Sequence, residues 1–104
     1  MPMSKSPYSK FEVLAACDSV ARFLRERGLS HLKAAVRGRH VVVYSEEPDG
    51  EKVSRIRFCS IGRYQSRLDV TTHPGRWEQT PYEGEIAQLC DAAMTDLGWL
   101  LTEF

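Results

Sequence analysis

Between residues 39 and 72 the chain carries three successive strand-like runs, the second and third alternating apolar and polar side chains, each closed by residues of turn chemistry. No other feature narrows the fold as far. The first run, His40-Val41-Val42-Val43-Tyr44, holds three successive valines whose χ1 stiffness disfavours a helix and suits a strand. Pro48-Asp49-Gly50 follows as a turn: Pro fixes φ, Asp bonds the nearby backbone and Gly takes positive φ. In the second run, Val53 to Ile61, Ile56 and Phe58 point one way and Arg55 and Arg57 the other. Gly62 marks the next turn. In the third run, residues 64–72, Leu68 and Val70 face inward and Arg67 and Asp69 outward. Short strands joined by tight turns pair antiparallel.

The stretch before these runs reads two ways. Leu32, Lys33, Ala34 and Ala35 tolerate a helix, whereas the alternation Leu32, Ala34, Val36 suits a strand. Arg37-Gly38 ahead of the valine run favours a hairpin with Gly38 in the turn. The sheet therefore has three or four strands.

Helical spacing brackets this region. Ser9-Lys10-Phe11-Glu12 has the form of a capping box, with Tyr8 and Val13 placed as a hydrophobic staple. Phe11, Leu14, Cys17, Ala21 and Leu24 then recur on one stripe, and Arg22, Arg25 and Arg27 load the final turns before Gly28. A helix over 10–27 follows. After a break at His73-Pro74-Gly75-Arg76-Trp77, the sequence Thr80-Pro81-Tyr82-Glu83 repeats the capping box. Ile86, Leu89, Cys90, Ala93 and Leu97 form the second stripe, which Gly98 ends. The closing Trp99-Leu100-Leu101-Thr102-Glu103-Phe104 is apolar enough to dock on the core or add an edge strand. One greasy stripe per helix and one greasy side per strand give an α+β fold of order helix, strands, helix. Both helices lie on one face of an antiparallel sheet, and the other face is wet and basic.

A chain of 104 residues accommodates one such domain, 9–104, behind a short mobile tail at 1–8. That tail lacks the apolar stretch and cleavage site of a signal peptide, and no apolar run is long enough to span a membrane. Cys17, Cys59 and Cys90 are odd in number, widely spaced and set among apolar neighbours, which points to reduced thiols in a cytoplasmic protein. Net charge is zero, yet residues 22–76 hold twelve Lys/Arg against six Asp/Glu, a net of +6. Residues 77–104 carry six acids and no Lys or Arg, a net of −6. That separation bears on partners.

Motifs of known chemistry are missing. There is no phosphate-binding glycine loop, no nucleophile elbow and no pair of His or Cys at zinc spacing, so neither cofactor nor metal is expected. Two sets of residues stand out instead. Arg55, Arg57 and Arg67 gather on the outward sheet face, and arginine outnumbers lysine ten to four, as planar contacts to carboxylate or phosphate favour. His73, Arg76 and Trp77 ride on a Pro-Gly turn, either as a binding loop or with Trp77 plugging the end of the core.

The order helix, antiparallel strands, helix is similar to that of the double-stranded RNA-binding domain, in topology alone. Where that family opens its last helix with a basic cluster, this chain reads Thr80-Pro81-Tyr82-Glu83-Gly84-Glu85, which repels phosphate. The sequence thus suggests a small non-catalytic interaction module, a regulator, adaptor or inhibitor, that meets an acidic protein partner or a second copy's acidic 83–96 segment. A nucleic-acid binder using the arginine face is the alternative, and an enzyme built around His73, Arg76 and Tyr82 a third.

Overall fold

Gly38 adopts φ 61° in a two-residue connection, which closes the first hairpin and settles residues 32–37 as a strand. The protein's structure is a computed structural model describing residues 10–62, 65–73 and 76–98. Its elements run α1 (Lys10–Glu26), β1 (Leu32–Arg37), β2 (His40–Glu46), β3 (Lys52–Gly62), β4 (Gln65–His73), β5 (Arg76–Gly84) and α2 (Ile86–Asp96). The strands form one sheet in chain order, β1 to β5, with every neighbouring pair antiparallel.

Local signals explain most boundaries. After α1 the Leu29 amide donates to the Leu24 carbonyl at 2.9 Å and the Gly28 amide to the Arg25 carbonyl at 3.1 Å. With Gly28 at φ 72°, this is the double bond pattern of a glycine-stopped helix, and Leu24 and Leu29 both join the core. The β2–β3 turn works as its sequence implies: the Glu51 amide donates to Asp49 Oδ1 at 3.0 Å, and Gly50 takes φ 89°.

The core lies between the helices and one sheet face. Val13, Val20 and Leu24 of α1 and Leu89, Cys90 and Ala93 of α2 meet Val41, Val43, Ile56, Phe58 and Leu68. α1 lies over β1 and β2, and α2 over β4 and β5, so both helices share a face as expected. Among the described residues no element covers the opposite face.

Two expectations fail, for one reason. The sheet has five strands, because residues 76–84 continue as β5 instead of leading into a helix. Thr80 is therefore no helix cap. Between Arg67 and Asp69 of β4 the register jumps, pairing Arg67 with Glu83 but Asp69 with Gln79, so residues 80–82 bulge out of the edge strand. Pro81, which has no amide hydrogen, is tolerated in such an edge bulge. The Thr80 hydroxyl stands in for the ladder, donating to the Leu68 carbonyl at 2.6 Å and accepting from the Tyr82 amide at 3.2 Å. α2 begins at Ile86, with Gln88 Oε1 accepting from the Glu85 amide at 3.0 Å. Five strands and this later helix start end the similarity of element order noted above. The tail at 1–8, the Ser9 cap, the Tyr8 staple and the closing 99–104 stretch lie outside the described residues.

Candidate interaction surface

Strand alternation and register decide which side chains share the uncovered face. One row across it runs His40, Cys59, Arg67, Glu83, and the next runs Val42, Arg57, Asp69, Gln79. Arg57 and Arg67 thus stand where the sequence placed them, with Asp69 between.

Asp69 is fully buried on this helix-free side, beneath the two arginines. Arg57 Nε donates to its Oδ2 at 2.9 Å, and Arg67 Nε to its Oδ1 at 2.8 Å, with a second Arg67 bond at 3.3 Å. Burial by itself raises the carboxyl, but the hydrogen bonds and charges of Arg67 and Arg57 outweigh it and hold Asp69 below the ordinary carboxylate range. The Arg57 guanidinium also lies 4.7 Å from the Trp77 ring centre. Its Nε is engaged and its central carbon lies over the indole, which restrains its terminal nitrogens. Among the described residues no carboxylate or carbonyl takes them.

Arg55 does not belong to this group, which corrects the expectation that it shares a face with Arg57. A bulge between Val43 and Tyr44 pairs Val43 with Ile56 and Tyr44 with Ser54, leaving Arg55 as the extra residue. The displaced side chain is 6% exposed and donates from Nε and a terminal nitrogen to Ser45 Oγ at 3.3 and 3.0 Å. Ser45 alternates with Val41 and Val43, so it sits on the core side. Ser45 in turn donates to Glu47 Oε2 at 3.0 Å. Arg55 is a structural residue.

The 73–77 segment also departs from its expected form. It is no loop: His73 ends β4 and pairs with Arg76 of β5, so only residues 74–75 connect the strands. Trp77 pairs with Thr71 and lies half-buried on the uncovered face, stacked on Arg57, so it does not plug the core. Arg76 is exposed at the hairpin end. Tyr82 lies six positions along β5, about 20 Å away at strand rise, packs on the core and donates to Asp96 at 2.8 Å. The structure does not bring His73, Arg76 and Tyr82 into one catalytic group.

A shallow cleft of about 250 Å³ opens on this face along β2, floored by Ala35 and Val42 and walled by Tyr44 and Trp77. Its charged lining is cationic throughout: Arg37 at one end, Lys52 at the other and Arg57 at the side. Lys52 leans over the Tyr44 ring at 5.5 Å. The nearby acid, Glu46, is bound by Lys33 at 3.0 Å. Among the described residues Arg37 has no ion-pair partner, and Lys52, opposite Glu46 across the β2–β3 pair, lends its charge to that carboxylate without a close ion pair. His40 lines the Arg37 end, and its Nδ1 is buried without a hydrogen-bond partner among the described residues. Burial and the charge of Arg57 push this imidazole below its ordinary range, only partly countered by Asp69. Reading β2 with period two would have found His40, Val42 and Tyr44, since they alternate with the core valines. Lys52 carried no signal, because its place depends on pairing across the turn.

Elsewhere the chemistry is quiet. All three thiols are unpaired, and burial pushes Cys17 up and Cys90 up to about 12. A second cavity of about 420 Å³ opens on the helix side between the N-terminal ends of α1 and α2, where Ala15, Ala16, Ser60 and Gly62 leave room. Among the described residues no three His, Cys, Asp or Glu could hold a metal ion, and no helix is long and apolar enough to cross a membrane. The charge halves meet within the fold, with Arg27 of the basic half 3.4 Å from Asp91 of the acidic half. Compared with protein-family models, curated proteins and solved structures, the chain matches none of them, so the functional reading rests on this geometry alone.

Proposed function

We propose that this protein is a small non-catalytic interaction module, a regulator, adaptor or inhibitor whose uncovered sheet face docks on an acidic surface of a larger protein. The observation that carries this reading is the Arg57–Asp69–Arg67 cluster stacked on Trp77, on a face that no element covers. Burying a carboxylate under two guanidinium groups adds little to folding compared with apolar packing. It does fix planar donors before a partner arrives, which lowers the ordering cost of binding. Arg57 in particular offers its outer N–H edge to a carboxylate in two-point geometry. The unpaired thiols fit a reducing compartment, and we place the module in the cytoplasm.

Two other uses of the face are weaker. Single-stranded nucleic acid needs open aromatic faces for base stacking, whereas Tyr44 and Trp77 each have a cation over the ring. Packing two copies cleft to cleft would bring Arg37, Lys52 and Arg57 of one against the same cations of the other. The test is a cross-linking map in native lysate. A photoreactive residue at Ser54, on the uncovered face, should capture one partner, and the same residue at Ser19 of α1 or Thr95 of α2 should not. Capture from the helix positions alone, or of a partner with a basic contact surface, would refute the proposal.

A further inference from the structure

The cleft along β2 is more specific than a basic patch, and its dimensions say what fits. Arg37 sits at the level of His40, while the Lys52 ammonium leans back to the level of Tyr44. These levels are four strand positions apart, about 13 Å at 3.3 Å per residue. In an extended peptide, side chains two apart leave the same face, so residues i and i+4 of such a peptide are also about 13 Å apart. Between the two cations the floor is Val42 with Ala35, which suits one apolar side chain at i+2. No carboxylate lines the cleft, and the side wall carries the outward N–H edge of Arg57.

We infer that this cleft is the recognition site for an extended acidic segment of the partner, with carboxylates at i and i+4 and an apolar side chain at i+2. The inference rests on the docking-face reading and narrows it to a sequence pattern. The carboxylate at one end lies against Arg37 and His40 and the other against Lys52, while the apolar residue covers Val42. The like charge that disfavours a second copy on this face favours such a segment. A cleft of about 250 Å³ holds a few side chains, not a whole metabolite-sized ligand.

The test uses the full chain and a fluorescent synthetic probe, Gly-Ser-Glu-Ser-Leu-Ser-Glu-Ser-Gly, followed by anisotropy at low and physiological salt. Binding should weaken about tenfold or more when both probe glutamates become Gln, and by a similar factor in Arg37→Gln/Lys52→Gln. It should also weaken with added salt. Shifting the second glutamate by one position, to the opposite face of the strand, should cost nearly as much as removing it. Amide shifts in an NMR titration should cluster at Ala35, Val42 and Ser54. Equal binding of the Glu and Gln probes, shifts confined to the helix-side cavity, or tighter binding of an oligo-dT of equal length would overturn the inference. If the probe fails while cross-linking from Ser54 persists, the pattern is wrong but the docking face stands. If Ser54 captures nothing, the docking face itself is wrong. Both substituted residues are exposed, and matching denaturation midpoints would show that each variant is folded.

Discussion

Asp69→Asn isolates the contribution of the buried carboxylate with almost no change of shape. Wild-type Asp69 is fully buried and carries the counter-charge for two arginines whose side chains are only 22% and 18% exposed. An amide of the same size keeps one acceptor oxygen, loses the negative charge and leaves two guanidinium groups side by side. Removing one partner of a buried ion pair costs about 3–5 kcal/mol. Here each arginine keeps some water access, which places the expected loss near the lower end, about 3 kcal/mol. For a domain of this size that lowers Tm by roughly 12–24 °C. Urea denaturation followed by Trp fluorescence and circular dichroism measures it, with an unchanged m-value showing that the comparison is like for like. The pH dependence supplies a second check. Asp69 titrates lower in the folded protein than in the unfolded chain, so its stabilisation is complete above the unfolded value, about 3.9, and disappears as pH falls through the folded value. Wild type and variant should therefore converge in stability at acid pH. A loss below about 1 kcal/mol at neutral pH, within the range of an exposed pair, or a gap that persists in acid, would refute the account of Asp69 as the anchor of this face.

Four further outcomes follow from particular contacts. Arg55→Gln should destabilise by about 1–3 kcal/mol, because the buried Ser45 hydroxyl loses its donors, whereas exposed Arg37→Gln should stay within about 0.5 kcal/mol; equal midpoints would place Arg55 on the surface. Thr80→Val should cost about 1 kcal/mol with helix content by circular dichroism unchanged, and a loss of helical signal would restore the helix-cap reading. His40, whose folded value is depressed, should titrate by NMR below 6.5; stability should decline as pH falls through the unfolded value and level off below the folded one, and a midpoint above 6.5 would contradict its buried setting. Cys90, pushed up to about 12, should resist alkylation at neutral pH until denaturant is added, and prompt labelling of the native protein would show that α2 does not pack this face against the core.

Local sequence was sufficient wherever the deciding physics spans a few residues. The valine run, the Asp49-Gly50 turn and the glycine stop at Gly28 depend on χ1 stiffness and positive φ, which are local properties; the α1 stripe is only partly so, because Leu24 is buried as expected while Phe11 and Leu14 are exposed and Val13 and Val20 face the core instead. The inward Leu68 and Val70 and the outward Arg57, Arg67 and Asp69 likewise follow from period two. Thr80-Pro81-Tyr82-Glu83 shows where this ends: the same residues serve as a helix cap or as a bulge in an edge strand, and only the free edge of β4 selects the bulge. Arg55 shows it again, because a single extra residue opposite Val43 and Tyr44 turns an outward arginine into a buried one without any change in its own alternation. Tertiary structure alone brought Trp77 under Arg57, closed two guanidinium groups on Asp69 and aligned Arg37, Val42 and Lys52 along one cleft. These placements depend on register across four strand pairings, and register is set by the sum of core contacts and bulges over the whole sheet, which no short stretch of sequence contains.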